Sequence, residues 1–167
     1  MNSPSARQSF VVLTGGQQVV EAAPHFMVIC GDTNRHRVLV EREGLVYKSN
    51  FECFLLATID ATLFAQNMVI AFESMGYGTC YIGGVRNDIP TAAKLLELPD
   101  GVYPLFGLCV GIPDQESLRR PRLPHKAVLF EDRYISHKDM LDNIDEFDNN
   151  VAPYYEARVG KPTTWSR

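Results

Sequence analysis

"FLLATIDATLFAQNMVIAFESM", residues 54–75, is apolar on nearly every face of a helical wheel, with Asp60, Gln66, Asn67 and Glu73 as its principal polar interruptions. The run holds no glycine or proline, and its length predicts one long α-helix. A helix that is apolar all round has to be buried. Two arrangements achieve this: a central helix wrapped by its own chain, or a helix shared with a second subunit. A chain of 167 residues has little surface with which to enclose such a helix, which favours the shared one.

Directly after it comes "GYGTCYIGGVRND", residues 76–88. The dinucleotide fingerprint G-x-G-x-x-G fails here, because Tyr81 stands where the third glycine belongs and a helix precedes the motif where a strand is required. Gly76 reads as the stop of the long helix, taking the left-handed cap conformation. Thr79–Ile82 reads as a short strand ending in a Gly83–Gly84 turn. Asp88 is placed to cap a following amphipathic helix, with Pro90 tolerated in its first turn. "VYPLFGLCVGIP", residues 102–113, and "HFMVICGD", residues 25–32, have the length and apolar character of buried strands. Strand, helix, strand in this order predicts a right-handed crossover and a layered α/β or α+β sheet.

At the amino end, "SARQSFVVLTGGQ" predicts a helix ending at Gly15–Gly16, and Val19–Ala23 a further helical turn. "TNRHRVLVEREGLVYKSN", residues 33–50, has mixed charge and no clean period, and is expected to be a mobile connection or part of a lid. "RRPRLP", residues 119–124, is basic and stiffened by Pro121 and Pro124. Residues 138–158 carry Met140, Leu141, Ile144, Phe147 and Val151 at helical spacing and predict an amphipathic helix interrupted near Pro153.

A composition of 46% hydrophobic and 22% charged residues is that of a folded globular chain. The net charge of −4 argues against nucleic acid or an anionic membrane as partner. No charged start followed by an apolar region opens the chain, and no uninterrupted apolar run of about 20 residues is present, so a cytoplasmic protein is expected. The cysteines, Cys30, Cys53, Cys80 and Cys109, lack metal-ligand spacing and read as buried thiols. The Asp32/His36 pair reads as a surface loop or cap, so no metal is assigned.

Taken together, "LTGGQ", "NRH", "AQNMVIAFESMGYGTCYIGGVRN", "LPDGVYPLFGLCVGIP" and "RPRLP" resemble the NfsA/FRP-like branch of the nitroreductase family, in register over nearly the whole chain. The resemblance implies an α+β, layered fold with a central sheet flanked by helices and a long buried helix at the interface of a homodimer. It implies FMN as cofactor, NADPH as electron donor, and two-step reduction of small acceptors: nitroaromatics, quinones or free flavin. It places the backbone of Tyr81, Ile82, Gly83 and Gly84 against the flavin ring and Gln17 near its polar edge. Arg120 and Arg122 fall at the FMN phosphate and ribityl chain, where guanidinium forks suit phosphate oxygens. Arg158 and Lys161, in "RVGKPTTWS", fall in the segment that binds the NADPH phosphate.

Against the family pattern, residues 1–167 are expected to form a single domain truncated at both ends, without the opening basic H-R-S-x-R motif or the carboxyl-terminal extension. The competing expectation is a non-catalytic remnant that dimerises without retaining FMN.

Overall fold

A computed structural model describes residues 3–114 and 118–166, which fall into two compact units, Met1–Asp114 and Gln115–Arg167.

The first unit is built on three strands: β1 (His25–Asp32), β2 (Gly78–Ile82) and β3 (Val102–Gly111), in the order β1-β3-β2. β3 is antiparallel to both neighbours, so β1 and β2 run the same way with β3 between them. The right-handed parallel crossover into residues 102–113 expected from sequence is corrected: β3 is adjacent and antiparallel to both other strands, so the helical link from β2 returns the chain as an antiparallel neighbour.

Alternation along β3 sorts its side chains between two layers. Cys109 faces a core of Phe10, Val20, Phe26, Ile82, Val85 and Ala92. These come from α1 (Pro4–Leu13), α2 (Gln18–Ala22), the strands, a 3-10 turn (Gly83–Asp88) and α5 (Ile89–Leu95). Leu108 and Val110 face the other way, onto Ile29 and onto Ala65 and Val69 of α4 (Phe51–Ser74). The sheet is thus covered by helices on both sides, as the α+β reading requires.

α4 begins at Phe51, three residues ahead of the expected Phe54, because Asn50 caps it by accepting from the Cys53 N–H at 2.9 Å; Gly76 follows its last turn at φ 84°, as expected. Asp88 caps α5 through the Thr91 N–H at 3.0 Å and the Thr91 hydroxyl at 2.7 Å, bonds that hold its carboxyl below the ordinary range.

Several expectations are corrected. Residues 33–50 are no uniform mobile connection, because Asn34–Arg42 forms a helix, α3. None of its residues is buried, so no apolar period announces it. It is held instead by Asp32 accepting from the Arg35 backbone at 3.2 Å, by Asn34 accepting from Arg37 at 2.7 Å, and by Thr33 donating to the Gly101 carbonyl.

The long helix is not buried within the protomer. Only Ala65 and Val69 are, while Phe54, Leu56, Ile59, Leu63, Phe64 and Ile70 are exposed. By length and composition α4 is also apolar enough to cross a membrane, with a mean hydropathy of 1.6, although polar residues interrupt its apolar run. Only Cys109 of the cysteines is buried; Cys80 is exposed because β2 is an edge strand.

The second unit is organised by α6 (His137–Val159), which passes through Pro153 without a break. Proline removes one backbone donor, and the carbonyl left over belongs to Asn149, an exposed position where water can satisfy it. The tail folds back on α6. Trp165 meets Phe147 edge-on at 6.3 Å, and the half-turn is fixed by Asp148, which accepts from the Trp165 N–H at 2.7 Å and from the Ser166 hydroxyl.

Candidate functional site

Two turns far apart in sequence meet at the edge of the first unit. One is the end of α1, where Gly15 and Gly16 both adopt positive φ, 79° and 78°, and turn the chain into Gln17. The other is the 3-10 turn that follows β2. They interlock through backbone: a β-carbon on Gly84 would fall 2.9 Å from the Thr14 carbonyl oxygen and 3.0 Å from the Thr14 α-carbon. Asn87 donates to the Leu13 carbonyl at 3.3 Å, and Gln17 donates to the Thr14 carbonyl at 3.2 Å. Thr14 itself is buried, its hydroxyl bonded to the Phe10 carbonyl at 2.7 Å.

Gly84 is therefore demanded by the packing of its own chain. Gly83 is different. It is exposed, and a β-carbon there would meet only the Arg86 guanidinium, at 3.4 Å. Arg86 is anchored from below by donating to the Leu105 carbonyl of β3 at 2.7 Å. The result is a patch of bare backbone at Gly83, between a carboxamide from one turn and a cation from its own.

This contrast gives a measurable expectation. Gly84→Ala forces backbone against backbone, which cannot yield as a side chain can, and should cost about 1–3 kcal/mol in denaturant unfolding. Gly83→Ala should stay within about 0.5 kcal/mol of the parent.

Of the other residues expected from sequence, Ile82 is fully buried in the core, so only its backbone is available to a ligand. Tyr81 points to the α4 face, donating its hydroxyl to Gln66 at 3.2 Å and meeting Phe106 edge-on at 5.3 Å. Arg120 and Arg122 are exposed in the second unit. Arg120 lies over the Tyr155 ring at 5.6 Å, beside a small cavity of about 210 Å3 that Phe147, Thr164 and Trp165 help to line. Stacking fixes the guanidinium plane and leaves its N–H edges free to donate. Arg158 bonds the Tyr154 hydroxyl at 2.9 Å, and Lys161 is exposed just past the left-handed cap at Gly160.

The structure thus brings Gln17 together with Gly83 and Gly84 in one unit, while the four basic residues lie in the other, Arg120 against Tyr155 and Arg158 against Tyr154. Arg86 and Asn87 were missed as positioning residues. The "VRN" triplet that holds them was visible, but their partners, Leu105 and Leu13, are remote in sequence.

A groove of about 980 Å3 lies elsewhere in the first unit, between β1 and α4, with Ile29, Tyr47, Leu56 and Phe64 among its walls. None of the residues expected at the flavin or NADPH lines it, though Asp32, His36, Cys30 and Cys53 do.

The sequence profile of the nitroreductase family matches residues 2–112, and that of the family's C-terminal domain matches residues 120–167. The chain belongs to the nitroreductase family. Among relatives of this nitroreductase-family chain, the FMN reductase (NADPH) of Bacillus subtilis is 41% identical over 172 residues, covering 99% of this chain and 69% of the relative. The oxygen-insensitive NADPH nitroreductase of Salmonella typhimurium is 40% identical, covering 96% and 65%. The chain thus spans about two thirds of the length of these relatives.

Solved structures agree. The NfrA1 nitroreductase of B. subtilis superposes with a TM-score of 0.93 at 41% identity, covering 99% of this chain and 70% of its own. The NADPH:FMN oxidoreductase from Vibrio harveyi, complexed with NAD+, superposes at 0.86 with 36% identity, covering 99% and 67%.

Within the first unit, the exposed backbone at Gly83, with the Gln17 carboxamide beside the adjoining Gly84, is a surface that suits a flat, polar-edged ring. Within the second, Arg120 and Arg122 are exposed guanidinium forks.

Proposed function

We propose that this chain is an FMN-dependent oxidoreductase that uses NADPH to reduce nitroaromatics, quinones or free flavin, working as a homodimer in the cytoplasm. The observation that carries the reading is the exposed bare backbone at Gly83, held in place by the Gly84–Thr14 interlock. It occurs in a chain 41% identical over nearly its whole length to an FMN reductase (NADPH).

Bound FMN supplies the capacity to accept a hydride and pass its electrons on. The chain's part is position and electrostatics. The backbone of Tyr81–Gly84 gives the ring a seat, with Ile82 buried beneath as its anchor. Gln17 addresses the polar edge. Arg120 and Arg122 hold the phosphate and ribityl chain, and Arg158 and Lys161 hold the phosphate of NADPH.

Both compact units are read as parts of one nitroreductase-like domain. The exposed apolar face of α4 supports the homodimer, since a second copy of that helix is the surface that matches it. Four unpaired thiols suit a compartment that keeps thiols reduced.

Titration of the apoprotein with FMN, followed by flavin absorbance and fluorescence, tests the reading. Each charge-assisted hydrogen bond to phosphate is worth roughly 1.5–3 kcal/mol, so Arg122→Ala should weaken FMN about ten- to a hundredfold. Gly83→Leu should weaken it while leaving the unfolding midpoint in place. A wild-type protein that stays colourless with added FMN overturns the reading.

A further inference from the structure

Cys80 of β2 and Cys109 of β3 are direct partners in the antiparallel register. Directly opposed residues of such a pair point to the same face of the sheet, with β-carbons about 4.5–5.5 Å apart. Antiparallel α-carbon spacings of roughly 4.5–5.5 Å lie inside the 4.4–6.8 Å range that disulfides occupy. The two thiols differ in access: Cys80 is exposed on the edge strand, and Cys109 is buried against the α1/α2 layer.

We propose that Cys80 and Cys109 are a redox-modification site, an exposed peroxide-reactive thiol and its buried resolving partner, which together close into a cross-strand disulfide. In the first step the Cys80 sulfur attacks one oxygen of hydrogen peroxide. The O–O bond breaks, a sulfenic acid forms on Cys80, and water leaves. The Cys109 sulfur then attacks the Cys80 sulfur and displaces the hydroxyl group as a second water. Two thiols give up two protons and two electrons, and one peroxide becomes two waters.

In the reduced protein the thiols are turned aside. That of Cys109 donates to the Val19 carbonyl at 3.5 Å, and that of Cys80 has its nearest acceptor in the Tyr81 carbonyl at 3.8 Å. Closure needs the two sulfurs to leave these acceptors and needs no change of register. Burial, with Cys80 beside it, pushes the Cys109 thiol up to about 11, so the resolving step is the slow one and quickens as pH rises. The link would sit immediately ahead of Tyr81. Cys30 and Cys53 lie on β1 and α4, are not strand partners, and serve as internal controls.

The test treats the whole protein with hydrogen peroxide, blocks remaining thiols under denaturing conditions, and maps unreduced peptides by mass spectrometry. The expected result is a peptide pair joined through Cys80 and Cys109, two hydrogens lighter than its parts and released by dithiothreitol. It should be retained in Cys30→Ser and absent from Cys80→Ser, whose exposed position tolerates the change. Because the thiolate fraction of a group near 11 grows about tenfold per pH unit below that value, its formation should accelerate about a hundredfold between about pH 7 and about pH 9. A Cys80 that proceeds to sulfinic acid while Cys109 is recovered as a free, blocked thiol overturns the proposal, as does a link to Cys30 or Cys53.

Discussion

Leu63→Glu should convert the assembled protein into monomer or aggregate at micromolar concentration, read by light scattering or sedimentation equilibrium. Leu63 stands in the middle of α4 and is 61% exposed in the protomer, so the substitution leaves the protomer's own core untouched. Burying a leucine is worth roughly 1.5–3 kcal/mol, and a two-fold interface contains the residue twice. The loss is then about 3–6 kcal/mol, a hundred- to ten-thousandfold in dissociation constant, before the cost of burying a carboxylate is added. A wild-type protein that runs as a well-folded monomer would remove the shared-helix reading, and with it a flavin site built at an interface.

The second large effect lies in the sheet. Phe26→Ala should lower stability by about 3–5 kcal/mol, the range for truncating a fully buried aromatic. Phe26 has no exposed surface, and its ring packs 5.6 Å from that of Phe10. It therefore ties β1 to α1, the helix whose last turn carries Thr14 and Gln17. Denaturant unfolding should show the loss, and a melting temperature lower by roughly 10 °C should accompany it. FMN affinity should fall as well, because the Gly84–Thr14 interlock depends on where α1 lies. A variant of unchanged stability would mean that this layer does not position the site.

The parts of the fold legible in the sequence were those whose causes are local. The strands His25–Asp32 and Val102–Gly111, the body of α4, the Asp88 cap of α5 and the left-handed Gly76 follow from apolar runs, caps and glycine geometry within a few residues. α3 was not legible, because a helix without a buried face writes no apolar period. The continuity of α6 was hidden for another reason. Pro153 carries a fixed cost, and whether a helix bears it depends on the surroundings of a carbonyl four residues earlier. At the site, the glycines drew attention correctly, yet the two differ in what they do. Only the structure separates Gly84, which makes room for Thr14, from Gly83, which faces outward. That distinction rests on a contact between residues some seventy positions apart, beyond the reach of any motif.

The exposed face of α4 has a consequence during synthesis. At 1.5 Å per residue its 24 residues span about 36 Å, enough to cross a hydrocarbon layer of about 30 Å. Of the strands that receive it, β1 with Ile29 is already made, but β3, with Leu108 and Val110, leaves the ribosome later, by seconds at roughly 5–20 residues per second. During that interval the nascent helix lacks the completed sheet, and its apolar face, long and apolar enough by composition to cross a membrane, stands in water.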